Sequence, residues 1–125
     1  MIDETLTLLT AFGLDVTEED AFLILICESV TERICNLTNR QEVPNGLTYL
    51  AAEMAAGEYL YRLYKAGLLS GFDFDAAVSS IKEGDTSVSF AVSEDTTDEG
   101  KLAALITYLR EGRQAELYHY RRLVW

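Results

Sequence analysis

TEEDAFLILICESVTERICNLTN, residues 17–39, decides how this chain is read. Thr17-Glu18-Glu19-Asp20 has the look of a capping box, and its carboxylates suit the positive end of a helix dipole. From there a helix is expected to run to about Asn39. Its first half, Ala21 to Cys27, is apolar on every face, which a buried strand would also explain. The flanking acids and the later spacing of Val30, Ile34 and Leu37 favour a helix. A helix apolar all round must be covered on more than one side. A chain of 125 residues has few layers with which to do that.

Helical patterns continue on both sides. Asp3 to Phe12 reads as a short helix with Leu6, Leu9 and Ala11/Phe12 on its apolar side and Gly13 as its stop. Arg40 to Gly46 is a loop, with Pro44-Asn45-Gly46 as turn chemistry and Asn45 as a possible cap. A third helix is expected from about Leu47 to Ala66, with Leu47, Leu50, Ala51, Met54, Ala55, Tyr61 and Tyr64 as its stripe. Ala51-Ala52, Ala55-Ala56 and Gly57 are small enough for another backbone to approach closely, and Gly67 suits the position after the last turn. A fourth helix, from about Asp98 to Arg110, turns Leu102, Leu105, Ile106 and Leu109 inward, and Gly112 loosens its end.

Between the third and fourth helices the period changes. Val78 and Ile81 approach Glu83-Gly84-Asp85, and Val88, Phe90 and Val92 alternate after it, which reads as a β-hairpin. A lone hairpin is marginal in water, so this one needs a partner surface on its own domain or on a neighbour. The expected fold is therefore mainly α: a small bundle of about four helices with a β-hairpin insertion at about 77–92 and an extended or short-helical C-terminal tail. Residues 1–112 form the body and 113–125 the tail.

Net charge is −11, unevenly placed. Residues 1–100 hold nineteen acidic residues and five basic ones, whereas residues 101–125 hold two and five. An acidic body repels nucleic acid rather than gripping it, although acidity also serves simple solubility. The N-terminal stretch has acids where a signal peptide carries Lys or Arg. The longest unbroken apolar run of the chain, Ala21 to Cys27, falls far short of the ~20 residues that span a bilayer. The expectation is a soluble, intracellular protein without a membrane partner. Cys27 and Cys35, eight residues apart on one helix and so ~12 Å apart, lie beyond disulfide reach and read as buried free thiols. Asn36-Leu37-Thr38 matches a glycosylation sequon, which carries no weight without secretion.

The inventory for catalysis is thin. His119, the single histidine, has no partner of suggestive spacing for a metal cluster or a Ser–His–Asp arrangement. Gly67, Gly71 and Gly84 are isolated, so no phosphate loop forms. Ser93 to Glu99 is dense in carboxylates but lacks the alternating calcium-loop pattern. No catalytic residue, cofactor or metal site is expected. The tail calls for more than a core. Leu117, Tyr118, Tyr120, Leu123, Val124 and Trp125 beside Arg121 and Arg122 have the composition of a binding hot spot, unless the tail folds back onto its own domain.

Ser80 to Phe90, followed by an acidic gap, a helix and a terminal Leu117-x-x-Tyr120-Arg121-Arg122-Leu123-x-Trp125, resembles the head–tail connector (adaptor) proteins of long-tailed bacteriophages. Val43-Pro44-Asn45-Gly46-Leu47 before the third helix fits the same pattern. The resemblance implies a structural, non-enzymatic virion protein, made in the host cytoplasm and placed at the head–tail interface. By the same resemblance it would assemble as a ring under the portal after DNA packaging, extend the DNA channel and meet the next connector or tail-completion protein. It implies that Leu117, Tyr118, Tyr120, Arg121, Arg122, Leu123 and Trp125 dock on the portal. Ile81, Lys82, Glu83, Asp85, Val88 and Phe90 would face the lumen or a ring neighbour, and DNA would pass without specific binding. The competing reading is a small acidic protein-binding regulator, in one form a DNA mimic. A small enzyme comes third.

Overall fold

A computed structural model describes residues 1–67 and 98–121, without the side chains of Asp98, Glu99 and Lys101. The described part is mainly helical, and no strand occurs among the described residues. The hairpin expected at about 77–92 lies outside them. The elements are α1 (Ile2–Ala11), α2 (Ala21–Thr38), α3 (Thr48–Lys65), α4 (Asp98–Glu111) and the short α5 (Gln114–His119), with a 3-10 turn at Asn45–Leu47 before α3.

α3 is the axis of the bundle. Leu50 through Leu60 are buried at every position except Glu58, and α1, α2 and α4 all pack against it. Three neighbours around one helix require small side chains on it, and Ala51, Ala52, Ala55, Ala56 and Gly57 provide them. The closest approach is to α4, where a methyl group on Gly57 would stand 2.6 Å from Cβ of Leu109 and 3.2 Å from the backbone nitrogen of Arg110. α4 contributes Leu102, Leu105, Ile106 and Leu109 to the core, as its spacing predicts. Tyr61 and Tyr64, expected on the α3 stripe, are only partly buried.

Local chemistry sets the ends. α1 closes on Gly13 at φ 91. The Leu14 N–H donates to the Leu9 carbonyl and the Gly13 N–H to the Thr10 carbonyl, both at 3.0 Å, and buried Leu9 and Leu14 complete this C-terminal motif. α2 starts four residues later than Thr17. Asp20 is its cap, with Oδ1 accepting from the backbone N–H groups of Phe22 (2.9 Å) and Leu23 (3.1 Å). Thr17 instead lies in a turn, its carbonyl accepting from the Asp20 N–H. Asn39, left-handed at φ 55, ends α2. Asn45 does not cap α3 through its side chain; its carbonyl accepts from Thr48 Oγ1 at 3.0 Å inside the 3-10 turn. Gly67 takes φ 72 after α3, as expected.

The apolar first half of α2 is unevenly buried. Leu23, Ile26 and Cys27 are buried, whereas Ile24 and Leu25 are 38% and 60% exposed. Cys27 meets α1 as well as the core, with its Sγ 4.0 Å from Thr5 Oγ1. Burial pushes the Cys27 thiol up. Cys35 is a free thiol that is only partly buried, not fully as expected.

Asp20 also ties α2 to α3. Its Oδ2 accepts from the Tyr59 hydroxyl at 3.0 Å, and Phe22 packs on the Tyr59 ring at 5.7 Å between centroids. Burial, then the Asp20 carboxylate, pushes the Tyr59 phenol up to about 12.

Two outcomes follow. Gly57→Ala gains helix propensity of about 1 kcal/mol but overpacks the α3–α4 contact, so unfolding in urea is expected to show a net loss of about 1–2 kcal/mol. Tyr59 holds its proton longer folded than unfolded, so its contribution is complete below pH ~10 and falls away as pH rises towards about 12. Stability measured across that window should decline in the natural protein, and the decline should shrink in Tyr59→Phe.

Candidate protein-docking surface

The C-terminal segment turns sharply out of α4. The Gly112 N–H donates to the Tyr108 carbonyl at 2.8 Å, and a methyl group on Gly112 would stand 2.7 Å from that carbonyl oxygen. The turn sends Arg113 to Tyr120 back along the N-terminal half of α3, where α5 also packs on α2.

Three anchors hold it. At the near end, Arg113 Nη1 donates to Glu53 Oε2 at 3.1 Å and Nη2 to Glu116 at 2.6 Å. Glu53 is 9% exposed on the central helix, and a carboxylate there is tolerable only if paired. The hydrogen bond to Glu116 and the charge of Glu53 together hold the Arg113 guanidinium above its ordinary range. In the middle, Leu117 is completely buried. At the far end, Arg40 Nε donates to the Tyr120 carbonyl at 2.7 Å. The Tyr120 phenol lies over Gly46, leaving no room for a side chain there.

This separates the residues expected to dock. Leu117 is enclosed by its own domain, and Tyr120 is half-buried against the core. Tyr118 is 50% exposed and Arg121 is exposed. The Arg121 N–H folds back on the Tyr118 carbonyl at 3.1 Å. Arg122, Leu123 and Trp125 lie outside the described residues, as do Ile81, Lys82, Glu83, Asp85, Val88 and Phe90. The composition of the tail does not single out the anchors Glu53, Arg40 and Gly46, since their roles depend on segments 60–80 residues apart. Tyr49, 73% exposed on α3 one turn before Glu53, had one signal: it lies off the apolar stripe of α3.

A second cluster supports the α3–α4 contact. Glu58 accepts from Arg62 Nε at 3.1 Å and from Arg110 Nε at 2.8 Å, and the Arg110 guanidinium lies 4.3 Å over the Tyr61 ring. This is an arrangement for packing. Two open clefts, of about 410 and 330 Å³, flank the loop at Arg40–Asn45. Among the described residues no group of His, Cys, Asp and Glu is placed to hold a metal ion, and no helix is long and apolar enough to cross a membrane.

No family model, curated protein or solved structure matches the chain.

Leu117→Ala is expected to destabilise the fold by about 2–4 kcal/mol through loss of a fully buried side chain. Tyr118→Ala, one residue on, should leave stability within about 0.5 kcal/mol. Urea denaturation of the two variants side by side checks the division of the tail into anchor and surface.

Proposed function

We propose that this chain is a structural head–tail connector that assembles as a ring under a phage portal, extends the DNA channel and joins head to tail without catalysing a reaction. The observation that carries the reading is the terminal pattern Leu117-x-x-Tyr120-Arg121-Arg122-Leu123-x-Trp125, taken with the placement of its first half. Leu117 and Tyr120 hold the segment to the body, which leaves Tyr118 and Arg121 at the surface on a fixed base. A binding segment tethered so close to its origin gives up little further freedom on docking. Small contacts repeated around a ring add by avidity.

The acidic body supports the same reading, because a channel through which DNA slides must not collect phosphate contacts. The hairpin at about 77–92, facing the lumen or a ring neighbour, belongs to this proposal. So do the placement at the virion's head–tail interface and the next connector or tail-completion protein as a further partner.

The test is co-sedimentation with assembled portal rings of the same phage. A version ending at Gly112 is unsuitable, since losing Leu117 and Arg113 would strip the core and remove the arginine that Glu53 meets. The informative comparison is the full chain against one ending at Arg121 and against Tyr118→Ala/Arg121→Glu. The full chain is expected to bind in ring-like stoichiometry, and both variants to bind at least about tenfold more weakly. Equal binding by all three keeps the connector but moves the docking residues elsewhere. Absence of binding to well-formed rings by the full chain overturns the proposal in favour of the acidic regulator.

A further inference from the structure

We infer that the bundle carries two complementary faces for a second copy of this chain: an acid-rimmed aliphatic face on the first turns of α2, and an arginine-bearing aromatic face at the tail. The large apolar side chains exposed among the described residues are Ile24, Leu25, Tyr49 and Tyr118. They fall into two pairs of different chemistry at different ends of the molecule.

The first face is aliphatic and acidic. Ala21, Ile24, Leu25 and Glu28 are neighbours at helical spacing and all exposed. Glu18 and Glu19, also exposed, precede them. Residues 15–28 contain five acids and no base. The first base further along α2 is Arg33, two turns beyond Leu25.

The second face is aromatic and carries one exposed arginine. Tyr49 lies one turn from Gly46 and one from Glu53, two positions of the 45–53 segment that touch the tail. Tyr118 and Arg121 are exposed on the tail itself. Glu42 is exposed in the adjoining loop, and Glu116 is already paired with Arg113.

The two faces cannot be one patch. Asp20, bonded to Tyr59, sets the start of α2 beside the C-terminal half of α3, whereas Arg40, bonded to Tyr120, sets its end beside the tail. Leu25 and Thr38 are separated by about 20 Å along the axis.

Charge decides the occupant. Placing the first face against its own copy would oppose Glu18, Glu19 and Glu28 to themselves, which an isologous contact cannot avoid. Placing it against the second face sets tyrosine rings on Ile24 and Leu25 and brings Arg121 towards carboxylates, the pairing that interface hot spots favour. Contact between unlike faces is head-to-tail, and it yields a ring where the rotation closes. The inference supplies contact faces for the ring of the connector reading and rests on that reading only for closure.

Sedimentation of the full chain at rising concentration and low salt, beside Leu25→Lys and Tyr118→Asp, tests it. The natural protein is expected to associate, less so as salt rises. Each variant alone should be a folded monomer, its dissociation constant raised at least about tenfold. Mixed in equal amounts they should form a dimer and stop there, because each retains the one face that the other lacks. A natural protein that stays monomeric at millimolar concentration overturns the inference, as does a mixture that fails to pair. A marked loss of thermal stability in Leu25→Lys also overturns it, since that residue would then be covered by its own chain. Portal binding is read on the natural protein and on Leu25→Lys, which leaves the tail intact: a natural protein that binds portal rings but never associates sinks this inference alone, and one that associates but does not bind the rings sinks the connector alone.

Discussion

The approach of α4 to α3 at Gly57 is the contact on which the rest of the architecture depends. A helix can be surrounded by three others only if some of its own side chains nearly vanish, and α3 does this over Ala51–Gly57. With α4 drawn in at Leu109 and Arg110, Glu58 reaches Arg110 and the chain leaves α4 in position to turn at Gly112. Glu53, one turn before Gly57, then meets Arg113. Moving α4 outward by the width of a methyl group would loosen both ion pairs and the start of the tail together. Packed interiors give little room to absorb such a change.

The tail shows how one short segment serves core and surface at once. Leu117 faces inward and contributes the apolar burial, worth about 1.5–3 kcal/mol for a leucine. Tyr118, its neighbour, points away. Arg113 and Arg40 hold the two ends by charge-assisted bonds. The cost of ordering the segment is thus met within the domain, and the exposed residues are presented from a fixed base rather than a loose end.

The asymmetry of α2 has a related cause. Its first half is apolar all round, and α3 and α1 are the described helices it packs against there. Leu23, Ile26 and Cys27 are buried, and Ile24 and Leu25 are left exposed. Exposed singly, such residues would mean little. Here they are adjacent, bordered by acids on both sides, and distant from the aromatic residues near the tail.

Much of the helical framework was legible in the sequence. The spacing of Leu102, Leu105, Ile106 and Leu109, the small residues of α3, and the glycines at 13 and 67 depend on local geometry and so can be read locally. The start of α2 was misplaced because Thr17 and Asp20 are both good caps, and the choice went to the one that also reaches Tyr59. Whether Leu117 belongs to the core or to a docking face was open in the sequence, since an apolar residue near arginines suits either. The tertiary structure decided it, because burial depends on what a folded chain brings alongside. By itself the sequence determined that the chain would form amphipathic helices, with acids concentrated in its body and arginines and tyrosines at its end. Only the fold decided which of those side chains pair inside the bundle and which remain at its surface, because residues 60 to 80 positions apart meet through packing that no local pattern encodes.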